Sequence, residues 1–76
     1  MTLEDLKKIP FKRVAHLNMV NEHCSTYMST DPEMCIEICV HQPYRRGMPH
    51  GKCYTHYRYN GKVYKSVEDL LEAIND

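Results

Sequence analysis

The chain has no tryptophan and a single phenylalanine, Phe11, so its aromatic bulk falls to six tyrosines, whose hydroxyls each need a polar partner or water. Glycine and proline are scarce as well, with three and four in 76 residues, which excludes a collagen-like or low-complexity chain and argues against disorder. No run approaches the ~20 apolar residues of a membrane-spanning helix. The opening Met1-Thr2-Leu3-Glu4-Asp5 lacks the basic-then-apolar pattern of a secretory signal. These absences predict a cytoplasmic protein whose four cysteines serve as thiols or metal ligands rather than disulfides. In an oxidising compartment, Cys24, Cys35, Cys39 and Cys53 would permit three pairings.

Local signatures of catalysis are missing too. There is no Gly-x-Ser-x-Gly, no glycine-rich phosphate loop, no Cys-x-x-Cys, and no protease-type sequence around any cysteine. A single domain of 76 residues also has little room for a substrate cleft with its supporting shell, so a non-enzymatic protein is expected. So short a chain buries only ~60% of the surface its unfolded form exposes, and a metal or a partner would add stability.

Acidic residues are absent between Glu37 and Glu68. That stretch holds Arg45, Arg46, Lys52, Arg58, Lys62 and Lys65 with His41, His50 and His56, while Glu68, Asp69, Glu72 and Asp76 follow. A formal net charge of zero therefore hides a basic middle and an acidic end.

What is present reads most clearly around Asn60-Gly61. Both residues tolerate positive φ, tyrosine-rich runs flank them, and a type I′ hairpin over 52–65 is predicted, pairing Tyr57 with Tyr64 and Tyr59 with Lys62. One face then carries Cys53, Thr55, Tyr57, Tyr59 and Tyr64; the other carries Tyr54, His56, Arg58, Val63 and Lys65. Ser66 can cap a following helix whose Val67, Leu70, Leu71 and Ile74 form one apolar stripe. Residues 34–41 alternate as a strand, with Ile36, Ile38 and Val40 on one side and Cys35, Glu37, Cys39 and His41 on the other. Asp31-Pro32 reads as a turn before it. Gln42 to Gly51 reads as a long loop, and long loops carry function more often than short ones. Thr2, with Asp5, can cap a short helix through Ile9, which Pro10 ends. Residues 11–20 and 24–29 read as strands, the first with Phe11, Ala15, Leu17 and Met19 on one face, spoiled by Arg13. Residues 11–20 also admit a reading as a helix beginning at Pro10, with Val14, Leu17, Cys24 and Tyr27 as a rough stripe. The expected architecture is α+β: one domain over 1–76, a small antiparallel sheet of about three to five strands, a short N-terminal helix, and a C-terminal helix packed on one face.

Three binding readings follow. Tyr44, Arg45 and Arg46 in the long loop, with Arg58, suit a protein partner, because arginine and tyrosine bring area and directional donors to interfaces. This makes the chain a small regulator or inhibitor, of the kind phages and mobile elements use against host machinery. Its basic patch and acidic helix would also suit a second copy of itself. The same basic, tyrosine-laced strip, 44–65, is the alternative for nucleic acid, although binders of that class usually carry net positive charge. The third reading is a zinc site from Cys39, His41, His50 and Cys53. Adjacent His23 and Cys24 are poorly placed to share an ion, and Cys35 and Cys39 lie ~13 Å apart on a strand.

Overall fold

A computed structural model describes residues 1–31 and 33–76; the expected turn at Asp31-Pro32 includes Pro32, which lies outside the described residues. Strands β1 (Phe11–Asn18), β2 (Glu22–Ser29), β3 (Ile36–Arg45), β4 (Met48–Pro49), β5 (Tyr54–Tyr59) and β6 (Lys62–Tyr64) form one antiparallel sheet in the order β1-β2-β3-β5-β6, with β4 also on β3. Helices α1 (Leu3–Lys8) and α2 (Val67–Asn75) flank it in sequence. The α+β architecture is as expected, with more strands. Among the described residues, no helix is long and apolar enough to cross a membrane.

Both helices start on side-chain caps. The Thr2 hydroxyl accepts from Asp5 N–H while the Asp5 carboxylate accepts from Thr2 N–H, which closes a full capping box. Ser66 accepts from Asp69 N–H in the same way. The expected helical stripe is the one used: Leu70 is fully buried, and Val67, Leu71 and Ile74 pack around it. At the other end of the chain, the Asn75 amide donates to the Met1 carbonyl, so the two termini lie side by side.

Among the described residues, the buried core is three side chains, Leu6, Ile36 and Leu70, ringed by Phe11, Ile38, Tyr57, Tyr59 and Tyr64 among others. Tyr57 pairs with Tyr64 and Tyr59 with Lys62 around an Asn60-Gly61 turn whose φ values are +50° and +77°. The tyrosine face is therefore the helix-covered face. Ile36 begins β3, and the sheet runs well past it: the molecule is 42 Å long and 22 Å and 21 Å in its other dimensions.

Two expectations fail for backbone reasons. Residues 42–51 are not a loop, because β3 continues to Arg45 and folds back as β4 through a second hairpin at Arg46-Gly47, with φ of +53° and +77°. An arginine at positive φ carries no turn signature, so only Gly47 marked the reversal. The stripe Phe11, Ala15, Leu17 is also broken. A β-bulge between Arg13 and Ala15 takes up Val14, so Arg13 pairs with Tyr27 but Ala15 with Thr26. One extra residue reverses the alternation. Phe11 faces the core, and Ala15 and Leu17 face the opposite side of the sheet.

Two outcomes check this account. Leu70→Ala should cost about 2–5 kcal/mol in urea unfolding, and Leu17→Ala, on the uncovered face, no more than about 0.5 kcal/mol. The Thr2 N–H and hydroxyl hold the Asp5 carboxyl below its ordinary value of 3.8. A folded-state pKa that is depressed gives stability that is complete above the unfolded value and lost as pH falls through the folded one. Asp5→Asn should therefore flatten the acid limb of a Tm-against-pH curve below about pH 4 relative to the parent protein.

Candidate functional site

Antiparallel register brings chemistry to the end of the sheet that the helices leave bare. Cys24 lies directly opposite His41, and His41 directly opposite Tyr54; Thr26, Cys39 and His56 form the next row. Glu22 is two residues before Cys24, hence on the same face. Facing rows on β2, β3 and β5 thus place Glu22, Cys24, His41, His56 and Tyr54 together on the side away from α2.

The contacts are close. The Cys24 thiol donates to Glu22 Oε2 at 3.2 Å and lies 3.0 Å from His41 Nδ1, which is itself 3.3 Å from Glu22 Oε2. His41 Nε2 is 2.9 Å from His56 Nδ1. The Tyr54 hydroxyl donates to Glu22 Oε1, and the Tyr54 ring stacks on the His41 ring with centroids 4.6 Å apart and planes at 5°. His41 is further stacked against His56 at 4.9 Å. His41 is thus engaged through both ring nitrogens and stacked by Tyr54 and His56.

These neighbours shift the titrations in consistent directions. Burial, then the Glu22 carboxylate, pushes the Cys24 thiol up to about 11. The Tyr54 hydroxyl, then the Cys24 thiol, holds Glu22 below its usual range, and the same carboxylate raises Tyr54. Burial, followed by the charges of His41 and Arg58, lowers His56 and favours its neutral ring.

The zinc set read from the sequence is not assembled. Of Cys39, His41, His50 and Cys53, only His41 belongs to the converging group. Cys39 is in the next row, its sulfur 3.7 Å from Thr26 Oγ1. The Cys53 thiol donates to Gln42 Oε1 at 2.7 Å, on the opposite face of the sheet from His41. His50 is exposed beside β4, held by its backbone N–H to the Pro43 carbonyl. Glu22 and Cys24 were missed because their partner is set by the β2–β3 register. The alternation Glu22-x-Cys24 was visible; the strand it would oppose was not.

The partner-binding set is divided. Arg45 and Arg46 are exposed at the second hairpin tip, as a binding role requires. Tyr44 lies in β3, half-buried, its ring stacked on His23 with centroids 3.7 Å apart. Arg58 does not sit beside them. It lies opposite Glu37 and pairs with that carboxylate at 3.7 Å, and Glu37 to Arg45 is ~27 Å of strand. The basic strip 44–65 is accordingly interrupted by Glu22 against Tyr54 and by Glu37 against Arg58.

In place of Arg58, the fold brings the β1–β2 turn to the arginines. The Tyr44 N–H donates to the Asn21 carbonyl at 2.7 Å, so Met19, Val20 and Asn21 adjoin the Arg45-Arg46-Gly47-Met48 tip. Val20 is 88% exposed, Met48 69% and Leu17 58%. Leu17 and Met19 read in the sequence as one strand face, but β1 ends at Asn18 and leaves Met19 in the turn.

On chelator-treated protein, Cys24 should be the slow thiol. Moving its pKa from 9.0 to about 11 cuts the thiolate fraction near neutral pH about 100-fold. Alkylation followed by peptide mass mapping should label the exposed Cys35 and Cys53 first and Cys24 far later. Equal labelling of Cys24 would contradict the contacts described. No family model, curated protein or solved structure matches the chain.

Proposed function

We propose that the protein is a non-enzymatic, cytoplasmic binding module, a small regulator or inhibitor that occupies a surface on a larger protein partner through the open end of its sheet. The observation that carries the reading is the adjacency of the two hairpin tips at the end of the molecule farthest from the core. There, Val20 and Met19 at one tip and Met48 at the other present apolar surface, with Arg45 and Arg46 exposed at the second tip. Apolar side chains rimmed by arginine fit a partner surface that is apolar at its centre and acidic at its edge. Four free thiols suit a reducing compartment.

Backbone conformation is unusual at the same end of the sheet. Arg46 occupies the left-handed region at φ +53°, where asparagine or glycine is accommodated at less cost, and a non-glycine residue held there costs of order 1–3 kcal/mol.

Arg45→Glu combined with Arg46→Glu, and separately Val20→Asp, should leave the circular dichroism and urea midpoint near those of the parent. Both should abolish retention of the partner when the immobilised protein is passed over lysate of its native host. Retention that is the same for both variants and the parent would overturn the proposal. Retention of a generic oligonucleotide that falls steeply with salt would replace it with nucleic-acid binding.

A further inference from the structure

We propose that Glu22, Cys24 and His41 form a binding site for one divalent zinc-type ion, with Glu22 Oε2, Cys24 Sγ and His41 Nδ1 as ligands and a fourth position open to solvent. This inference does not rest on the partner-binding reading. It concerns the sheet face and not the hairpin tips.

The triangle of ligand atoms is the first argument. Tetrahedral bonds of ~2.3 Å to sulfur and ~2.0–2.1 Å to nitrogen and oxygen place neighbouring ligand atoms ~3.3–3.6 Å apart. The three edges here are 3.0, 3.2 and 3.3 Å, so an ion is accommodated by outward shifts of a few tenths of an ångström. Cross-strand register supplies that geometry: Cys24 and His41 are directly opposite, and Glu22 is the next residue on the same face of β2.

A second argument lies in what holds the ligands. His41 makes its contact to His56 through Nε2, leaving Nδ1 directed at Cys24 and Glu22. Tyr54 takes Glu22 Oε1 and leaves Oε2 facing inward, and its ring fixes the His41 plane by stacking. Outer partners of this kind, on the second nitrogen of a histidine and the second oxygen of a carboxylate, orient the ligands of metal sites. The His41 and Glu22 side chains are 15% and 22% exposed, enough shelter to favour the ion and enough opening to admit it.

Ligand chemistry selects the ion. A thiolate, an imidazole and a carboxylate suit zinc and its analogue cobalt(II), whereas calcium and magnesium take all-oxygen shells. When the ion enters, the Cys24 S–H bond breaks, the sulfur electron pair forms the metal–sulfur bond, and the proton passes to solvent. The thiolate and the Glu22 carboxylate then balance the two positive charges.

Cobalt(II) titration of the metal-free full chain tests the site, with zinc(II) as competitor. The parent should develop a thiolate-to-cobalt charge-transfer band and the visible bands of a tetrahedral ion, saturating at one equivalent and discharged by zinc. Cys24→Ser should lose the charge-transfer band, and Glu22→Gln and His41→Gln should weaken binding at least tenfold, each with an unchanged circular dichroism spectrum. His56→Ala should keep the band and weaken binding about 10–100-fold, as loss of an outer partner does. Cys39→Ser and Cys53→Ser should bind as the parent does. No charge-transfer band in the parent, a band that survives Cys24→Ser, or a band lost in Cys39→Ser or Cys53→Ser would each overturn the proposal.

Discussion

Leu70 and Leu6 close over Ile36 at the start of β3, and that contact sets the layout of the molecule. Two helices of six and nine residues can cover only one end of a sheet whose central strand has ten. Burial of apolar area is what orders the chain, and there is enough of it for one end only. The rest of the sheet stands clear of the helices and is held by ladder hydrogen bonds, by stacking and by side-chain pairs such as His16 with Ser25 and His23 with Tyr44. Polar side chains there are compatible with folding because they pair across strands, and apolar ones because nothing requires them to be covered.

The register that follows from this anchor also builds the site. Once Ile38 is opposite Tyr57 and Tyr27, every later row of β3 is set, and Cys24, His41 and Tyr54 must share a row. A slip of one residue between β2 and β3 would send Glu22 and Cys24 to the helix side and disperse the cluster. Packing at one end therefore specifies chemistry at the other, through the strands alone.

Elements with strong local signals were legible in the sequence. The Thr2 and Ser66 caps, the Val67-Leu70-Leu71-Ile74 stripe, the Asn60-Gly61 turn and its tyrosine pairing all depend on residues within a few positions of one another. The bulge at Val14 and the Arg46-Gly47 reversal were not, since neither Val14 nor Arg46 has the intrinsic preference that would announce them and Gly47 alone is a weak turn signal. The site was half legible. Cysteine and histidine on the second face of β3 stood out as unusual, but their partners come from β2 and β5. The metal set proposed from spacing joined residues that the fold places on opposite faces. Arg45 and Arg46 are exposed, as the partner-binding reading needs; Arg58 stands apart from them because β3 runs on to Arg45.

The pairing of Met1 with Asn75 has a practical side. Met1 and Asn75 therefore sit next to each other at the core pole, while the hairpin tips lie past the other end of β3. A fluorophore, bead or fusion tag joined at either terminus would hang from the same pole, and tethered copies would all project Val20 and the two arginines outward.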